Sequence, residues 1–147
     1  MTEQTISEQA ERLSRRRARM LTFFTLIFLI QQGSYFSAGG DRTVDHVKIG
    51  AWVVMSVVLL LAFGTGGAWL RPKAVRDLAN DESTRVHRLR ASAYGFWAAM
   101  GCALGVYALD LFEPVSGRDA VHLVFTAGIA TALLNFAMLE RRAMRDA

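Results

Sequence analysis

The sequence lacks several features that would point to a soluble or disulfide-stabilised protein. It has one cysteine, Cys102, so an internal disulfide is impossible. It has two prolines, Pro72 and Pro114, and both fall between apolar stretches. Lysine, arginine, aspartate and glutamate are missing from the middle of those stretches, which argues against a proton-coupled carrier built on a buried carboxylate.

What the chain does have is long apolar blocks separated by charged segments. Of its 147 residues, 52% are hydrophobic and 20% are charged, and the two kinds alternate in blocks. Apolar stretches of this length with few charges are typical of helices that cross a membrane. The length suits one domain.

Four stretches approach or reach the roughly 20 residues that cross about 30 Å of hydrocarbon. Inside a bilayer each segment must satisfy its own backbone hydrogen bonds, so these stretches are predicted to be helices. We therefore expect an all-α, polytopic membrane protein: a single four-helix domain over 1–147, arranged as an up-down bundle. The predicted spans are 20–36, 49–70, 91–112 and 120–139.

The basic residues predict the orientation. Fourteen of the 17 lysines and arginines fall before the first span, in the second loop or in the tail, and three fall in the first and third loops. By the positive-inside rule, both termini and the loop 71–90 lie in the cytoplasm. The residue usage suggests a bacterial inner membrane, and residues 5–19 are expected to extend the first helix into the cytoplasm. A cleaved signal peptide is the alternative interpretation of the first span.

The third predicted span is rich in small residues. Half of its 22 positions are alanine, glycine, serine or cysteine, and Gly101 and Gly105 form a Gly-x-x-x-Gly pair. Small residues let helix backbones approach closely within a membrane. We expect this helix at the centre of the bundle or at a homodimer seam, with Gly101 and Gly105 at the contact.

The second loop carries a recognisable pattern. Asn80-Asp81-Glu82-Ser83-Thr84, followed by His87-Arg88 and Ala91, resembles the Asn-Asp-Glu-Arg-Thr signature of small uncharacterised multi-span prokaryotic membrane proteins, with serine in place of arginine at position 83. Members of that group are often encoded beside a helix-turn-helix regulator. The resemblance implies a membrane-bound accessory or regulatory partner. In the alternative interpretation, 80–82 only cap a helix that begins near Asp81 and continues into the third span.

Polar side chains within the predicted spans are candidates for an internal site. Gln31 and Gln32 lie near the outer end of the first span, and Thr131 and Asn135 are four residues apart on the fourth. They could line a small polar cavity. They could equally form hydrogen bonds between helices.

Two histidines, His46 and His122, are expected at the outer surface near acidic residues. Imidazole and carboxylate groups there could bind a divalent metal or respond to external pH, although their spacing matches no metal motif. The spans contain no nucleophile–base pair or phosphate loop. We expect no enzymatic activity, no catalytic or cofactor-binding residue, no cofactor, and no direct contact with nucleic acid.

Three functions remain compatible with the sequence. The leading one is an accessory or regulatory protein that binds a protein partner, or another copy of itself, within a lipid membrane. Its contact surface would lie on the basic cytoplasmic face and comprise Asn80, Asp81, Glu82, Arg85, Arg88 and Arg90. The alternatives are a small oligomeric transporter or channel and a structural subunit of a membrane complex.

Overall fold

The computed structural model describes residues 16, 19–33, 43–65, 82–143 and 145. Within these ranges the chain forms four helices and no strand, so the predicted all-α fold is confirmed. Helix α1 is described over 19–33, α2 is Thr43–Gly64, α3 is Glu82–Asp110 and α4 is Gly117–Ala143.

Three of these helices are long and apolar enough to cross a membrane. The candidate spans are His46–Gly64 within α2, Glu82–Asp110 and Gly117–Ala143. The described part of α1, residues 19–33, is shorter than the roughly 20 residues a span requires, so the fourth span stays a prediction.

The helix boundaries differ from the predicted ones in informative ways. Helix α3 begins at Glu82 and continues without a break into the apolar segment, as expected from a helix starting near Asp81. Helix α4 begins three residues earlier and ends four residues later than predicted. Of the predicted extension 5–19, only Arg16 and Arg19 are described, and both are helical. Residues 71–81 of the predicted loop lie outside the described ranges.

Helix α4 is the most buried helix of the three candidate spans. Its buried and partly buried residues recur at alternating steps of four and three, the spacing of one continuous helix face. They are His122, Thr126, Ile129, Leu133, Phe136 and Glu140. The third span was expected at the bundle centre or at a homodimer seam; among the described candidate spans the most buried one is α4 instead, and the seam stays a prediction.

Helices α3 and α4 pack tightly against each other where small residues meet. A Cβ added to Gly95 of α3 would lie 2.8 Å from the carbonyl oxygen of Gly128 and 2.8 Å from Cβ of Ala132. A Cβ on Gly128 would lie 3.2 Å from Cβ of Ala99. The close approach depends on these two glycines, as in other membrane helix pairs.

Helices α2 and α4 run in the same direction, because their contacts follow the same order along both chains. Trp52 packs on His122, and eleven residues later Phe63 packs edge-on against Phe136 with ring centroids 5.6 Å apart. The buried Leu59 lies between these two contacts and belongs to the same apolar cluster.

Helices α1 and α3 run opposite to α4: along α3, His87 lies beside Glu140 and the later Ala99 lies against Gly128. On α1, Gln32 bonds to His122 while Thr22 accepts a hydrogen bond from Arg141, at the other end of α4. We call the end of the bundle that contains Gln32, Trp52 and His122 the histidine end. The opposite end, which contains Gly64, Arg88, Glu140 and Arg141, is the basic end.

Much of the apolar surface is exposed. Helix α2 leaves large side chains uncovered on most of its circumference, as expected from its uniformly apolar sequence; they include Val53, Val54, Val57, Val58, Leu60 and Leu61. A protein in water rarely exposes apolar patches of that extent. The surface and the three long apolar helices together are those of a membrane protein.

Candidate functional site

His122 lies inside the bundle at the histidine end, where it links α4 to α1. Its side chain is 4% exposed, and its Nε2 donates a hydrogen bond to Oε1 of Gln32. The amide nitrogen of Gln32 donates in turn to the carbonyl of Phe28 at 3.0 Å. Because a carbonyl oxygen can only accept, the proton of His122 is held on Nε2.

Trp52 of α2 covers the other side of His122. The two rings stack with centroids 4.3 Å apart and an interplanar angle of 30°. Phe125 meets Trp52 edge-on, with centroids 6.4 Å apart. The orientation of the His122 ring is thus fixed by its hydrogen bond to Gln32 of α1 and by its stacking on Trp52 of α2.

A second polar layer lies one helical turn further from the histidine end. Ser56 follows Trp52 by four residues on α2, and Thr126 follows His122 by four residues on α4. Ser56 is 5% exposed. Within the part of the chain that the structure describes, the hydroxyl oxygens of both residues and Nε1 of Trp52 are buried without a hydrogen-bond partner. Such groups are rare in folded proteins, and each one calls for an explanation.

The four polar residues predicted within the spans do not form one site. Gln32 belongs to the His122 cluster, and its neighbour Gln31 has a buried Oε1 without a partner. Asn135 instead donates to the backbone carbonyl of Thr131 at 3.0 Å, within α4. No hydrogen bond in the described part of the chain joins the glutamines to Thr131 or Asn135.

The two histidines predicted at one outer surface have different environments. His46 is exposed near the start of α2, whereas His122 is buried against Trp52. Among the described residues no group of three or more histidine, cysteine, aspartate or glutamate side chains could hold a metal ion. The interior role of His122, with Trp52, Ser56 and Thr126, was not predicted. The signal was available in the four–three spacing that places His122 and Thr126 on the same stripe as Leu133 and Phe136.

At the basic end, three side chains tie the helices together. Arg88 of α3 donates to the carbonyl of Gly64, the last residue of α2, at 3.0 Å. His87 Nδ1 lies 3.5 Å from Oε1 of Glu140, a carboxylate that is only 4% exposed. Arg141 donates to Oγ1 of Thr22 at 3.2 Å.

The predicted partner-contact residues therefore divide into two groups. Glu82, Arg85 and Arg90 are exposed, whereas Arg88 is half-buried and satisfies the end of α2. Val86 and Leu89 are exposed between the exposed Arg85 and Arg90, so the outward surface is both basic and apolar. Asn80 and Asp81 lie outside the described residues.

Among the described residues, none packs against the predicted helix seam at Gly101 and Gly105. Both glycines are exposed, and a Cβ on either would meet nothing within 4 Å. The contact of α3 with α4 uses Gly95 instead. A homodimer seam at Gly101 and Gly105 stays a prediction.

An apolar groove of about 360 Å³ opens between α3 and α4 near the histidine end. Val106 and Tyr107 line it from α3, and Val121, Val124 and Phe125 line it from α4. At its rim, Oδ1 of Asp110 accepts from the backbone N–H of Val115 at 2.8 Å, which closes the turn between the helices.

Comparison with known proteins gives no match: no family model, no curated protein and no solved structure is significantly similar to this chain. In its described residues the molecule belongs to the class of all-helical bundles with at least three helices long and apolar enough to cross a membrane.

Proposed function

We propose that this chain is a small integral protein of the bacterial inner membrane that acts as an accessory or regulatory subunit, binding a protein partner through its basic cytoplasmic face. The observation that carries the proposal is the continuity of α3. One helix begins at Glu82 with a basic segment and continues directly into a membrane-capable segment ending at Asp110. A surface on such a helix is fixed relative to the membrane.

The proposed orientation follows from where the charges lie. The basic end contains Arg88, Arg90, Arg141 and Arg142, whereas Arg118 lies near the start of α4 at the other end. The positive-inside rule puts the basic end in the cytoplasm. With α1 as a fourth span and the helix directions described above, the bundle alternates up and down and both termini are cytoplasmic.

The contact surface is formed by the outward side of the first turns of α3. The inward side is occupied, since Arg88 bonds to Gly64 and His87 lies beside Glu140. That leaves Arg85 and Arg90 exposed, with Val86 and Leu89 between them. Exposed arginines with apolar neighbours are typical of the centres of protein interfaces, so a partner with acidic and apolar residues fits this surface.

Charge reversal at the exposed arginines tests the proposal. The double variant Arg85→Glu/Arg90→Glu is expressed at native level, extracted in mild detergent and compared with the unaltered protein for co-purifying proteins. We expect the specific partner to be lost. Arg88 is left intact, because its substitution would disturb α2 as well as the surface.

The matched control is Arg118→Glu, an exposed arginine at the opposite end of the bundle. It should retain the partner. If the double variant co-purifies with the same proteins as the control and the unaltered chain, the basic face is not the binding surface and the proposal is wrong.

A small oligomeric transporter or channel is the second candidate, favoured by the buried polar atoms around His122. A polar interior at membrane depth is what a solute path requires. In proteoliposomes this function predicts flux that Gln32→Leu reduces and Asn135→Leu leaves unchanged, since only Gln32 contacts the cluster. Absence of flux over a broad panel of ions and solutes would reject it.

A further inference from the structure

Helices α2 and α4 contact each other through two matching stripes. On α2 the stripe is Trp52, Ser56, Leu59 and Phe63, and on α4 it is His122, Thr126, Ile129, Leu133 and Phe136. The Trp52–His122 and Phe63–Phe136 contacts fix the register, because the helices are parallel. Ser56 and Thr126 each lie four residues, about 6 Å, beyond the stacked rings, so the two hydroxyls share one level of the bundle.

These two hydroxyls behave differently from others in the same protein. Thr25, Thr65 and Ser92 each donate to the backbone carbonyl four residues earlier, at 2.7–2.9 Å. That internal bond is the usual solution for serine and threonine in an apolar helix. Ser56 and Thr126 do not make it, nor do they bond to each other, so two groups that can both donate and accept are left without a partner.

The indole N–H of Trp52 is the third buried polar group without a partner in this region. It can only donate, so whatever satisfies it must offer an acceptor. A buried polar group without a hydrogen bond is strongly unfavourable, and an apolar bundle is where that cost is largest. Three such groups on one pair of helix faces indicate a ligand between them.

We propose that Trp52, Ser56 and Thr126 form a buried binding site for a small uncharged hydrogen-bonding molecule, of which water is the smallest. The ligand accepts from the indole N–H and exchanges hydrogen bonds with the two hydroxyls. This site is independent of the cytoplasmic surface proposed above.

The surroundings define the chemical class of the ligand. No described lysine, arginine, aspartate or glutamate lies on the two stripes at this level, so an ion would be buried without a counter-charge, which membrane interiors disfavour. The rings of Trp52 and His122 stack about one turn away on one side of this level, and Leu59 and Ile129 belong to the buried apolar cluster on the other side. These surroundings favour a small uncharged molecule over an ion.

Removing the hydroxyls one at a time and together tests the site. The variants are Ser56→Ala, Thr126→Val, and the double variant, with thermal unfolding measured in the same detergent. If a shared ligand satisfies both hydroxyls, each single substitution lowers the Tm by about 3 °C. The double variant then loses clearly less Tm than the two single losses added together. Ser92→Ala, which removes an exposed hydroxyl on α3, is the control. Its change in Tm should add to that of Ser56→Ala when the two substitutions are combined.

A site without a ligand predicts different Tm values. If the hydroxyls are dry and unsatisfied, their removal relieves an unfavourable burial, and each variant has an unchanged or higher Tm. Unchanged or raised values, or strictly additive losses, would overturn the proposal.

A second measurement does not depend on variants folding at this site. In Trp69→Phe/Trp97→Phe protein, Trp52 gives the single indole N–H resonance, and a cross-peak between that proton and water is expected if water occupies the site. Its absence, with the N–H found in a purely apolar environment, would contradict the proposal.

Discussion

The inward and outward faces of α3 contain the same residue types in different roles. On the inward face Gly95 lies so close to α4 that a Cβ would meet the backbone of Gly128 at 2.8 Å. On the outward face Gly101 and Gly105 have open space around them. A glycine pattern therefore signals the capacity for close packing, and only the position of the neighbouring helix decides which glycine is used.

The same division continues into the basic segment of α3. Arg88 donates to the carbonyl of Gly64 and His87 lies beside Glu140, while Arg85 and Arg90 are exposed. The arginines of one short segment thus divide into one that bonds to the end of α2 and two that are exposed. Matched substitutions on the two faces test this difference.

The largest difference is expected between Gly95→Leu and Gly101→Leu. A leucine at position 95 cannot be placed without moving the α4 backbone, so it should lower the free energy of unfolding by more than about 3 kcal/mol, or prevent folding. Gly101→Leu should be close to neutral in the monomer. The measurement is thermal or denaturant unfolding in detergent, with Gly95→Ala as the milder variant. Equal effects at 95 and 101 would show that the α3–α4 contact is misplaced.

An intermediate difference is expected between Glu140→Ala and Glu82→Ala. Glu140 is buried with its Oε1 3.5 Å from Nδ1 of His87, and removing a buried polar group so that its neighbours lose their partner costs about 1–3 kcal/mol. Glu82 is exposed at the start of α3, so its loss should cost little. The same unfolding assay measures both. Unfolding of Glu140→Ala at the temperature of the unaltered protein would mean that the carboxylate is not buried.

The smallest difference is expected between Arg88→Ala and Arg85→Ala. Arg88 satisfies the final carbonyl of α2, so its loss should cost about 1 kcal/mol. Arg85→Ala should leave stability unchanged and weaken partner binding instead. The rate of amide hydrogen exchange near Gly64 should rise in Arg88→Ala and not in Arg85→Ala. Equal exchange rates in the two variants would contradict the structural role of Arg88.

The sequence predicted the features that depend on composition along one segment. Three long apolar helices, and the continuity of α3 from Glu82, follow from hydropathy and charge blocks alone. The exposure of large apolar side chains on α2 was also predictable, because apolar residues occupy most of the circumference of this helix. Each of these properties belongs to a single helix.

The interior cluster was not predicted, because it depends on how helices are rotated about their axes. His122 lies near the start of α4, where the sequence suggested an outer surface. Its burial comes from contacts with Gln32 of α1 and Trp52 of α2, which are distant in the chain. Apolar helices carry little information on which side faces a neighbour, so α4 could not be recognised as the central helix. The stripe spacing from His122 to Glu140 was the one local sign of it.

The most direct test of the account is the accessibility of the two ends of the bundle from outside the cell. In a Cys102→Ala background, the variants Arg85→Cys and Arg118→Cys are treated with a membrane-impermeant maleimide. Labelling is measured first in spheroplasts with an intact inner membrane, and then after that membrane has been permeabilised. The account predicts that position 118 is labelled in intact cells and that position 85 is labelled only after permeabilisation. Labelling of position 85 in intact cells would place the basic end outside, and the orientation together with the proposed partner surface would be wrong.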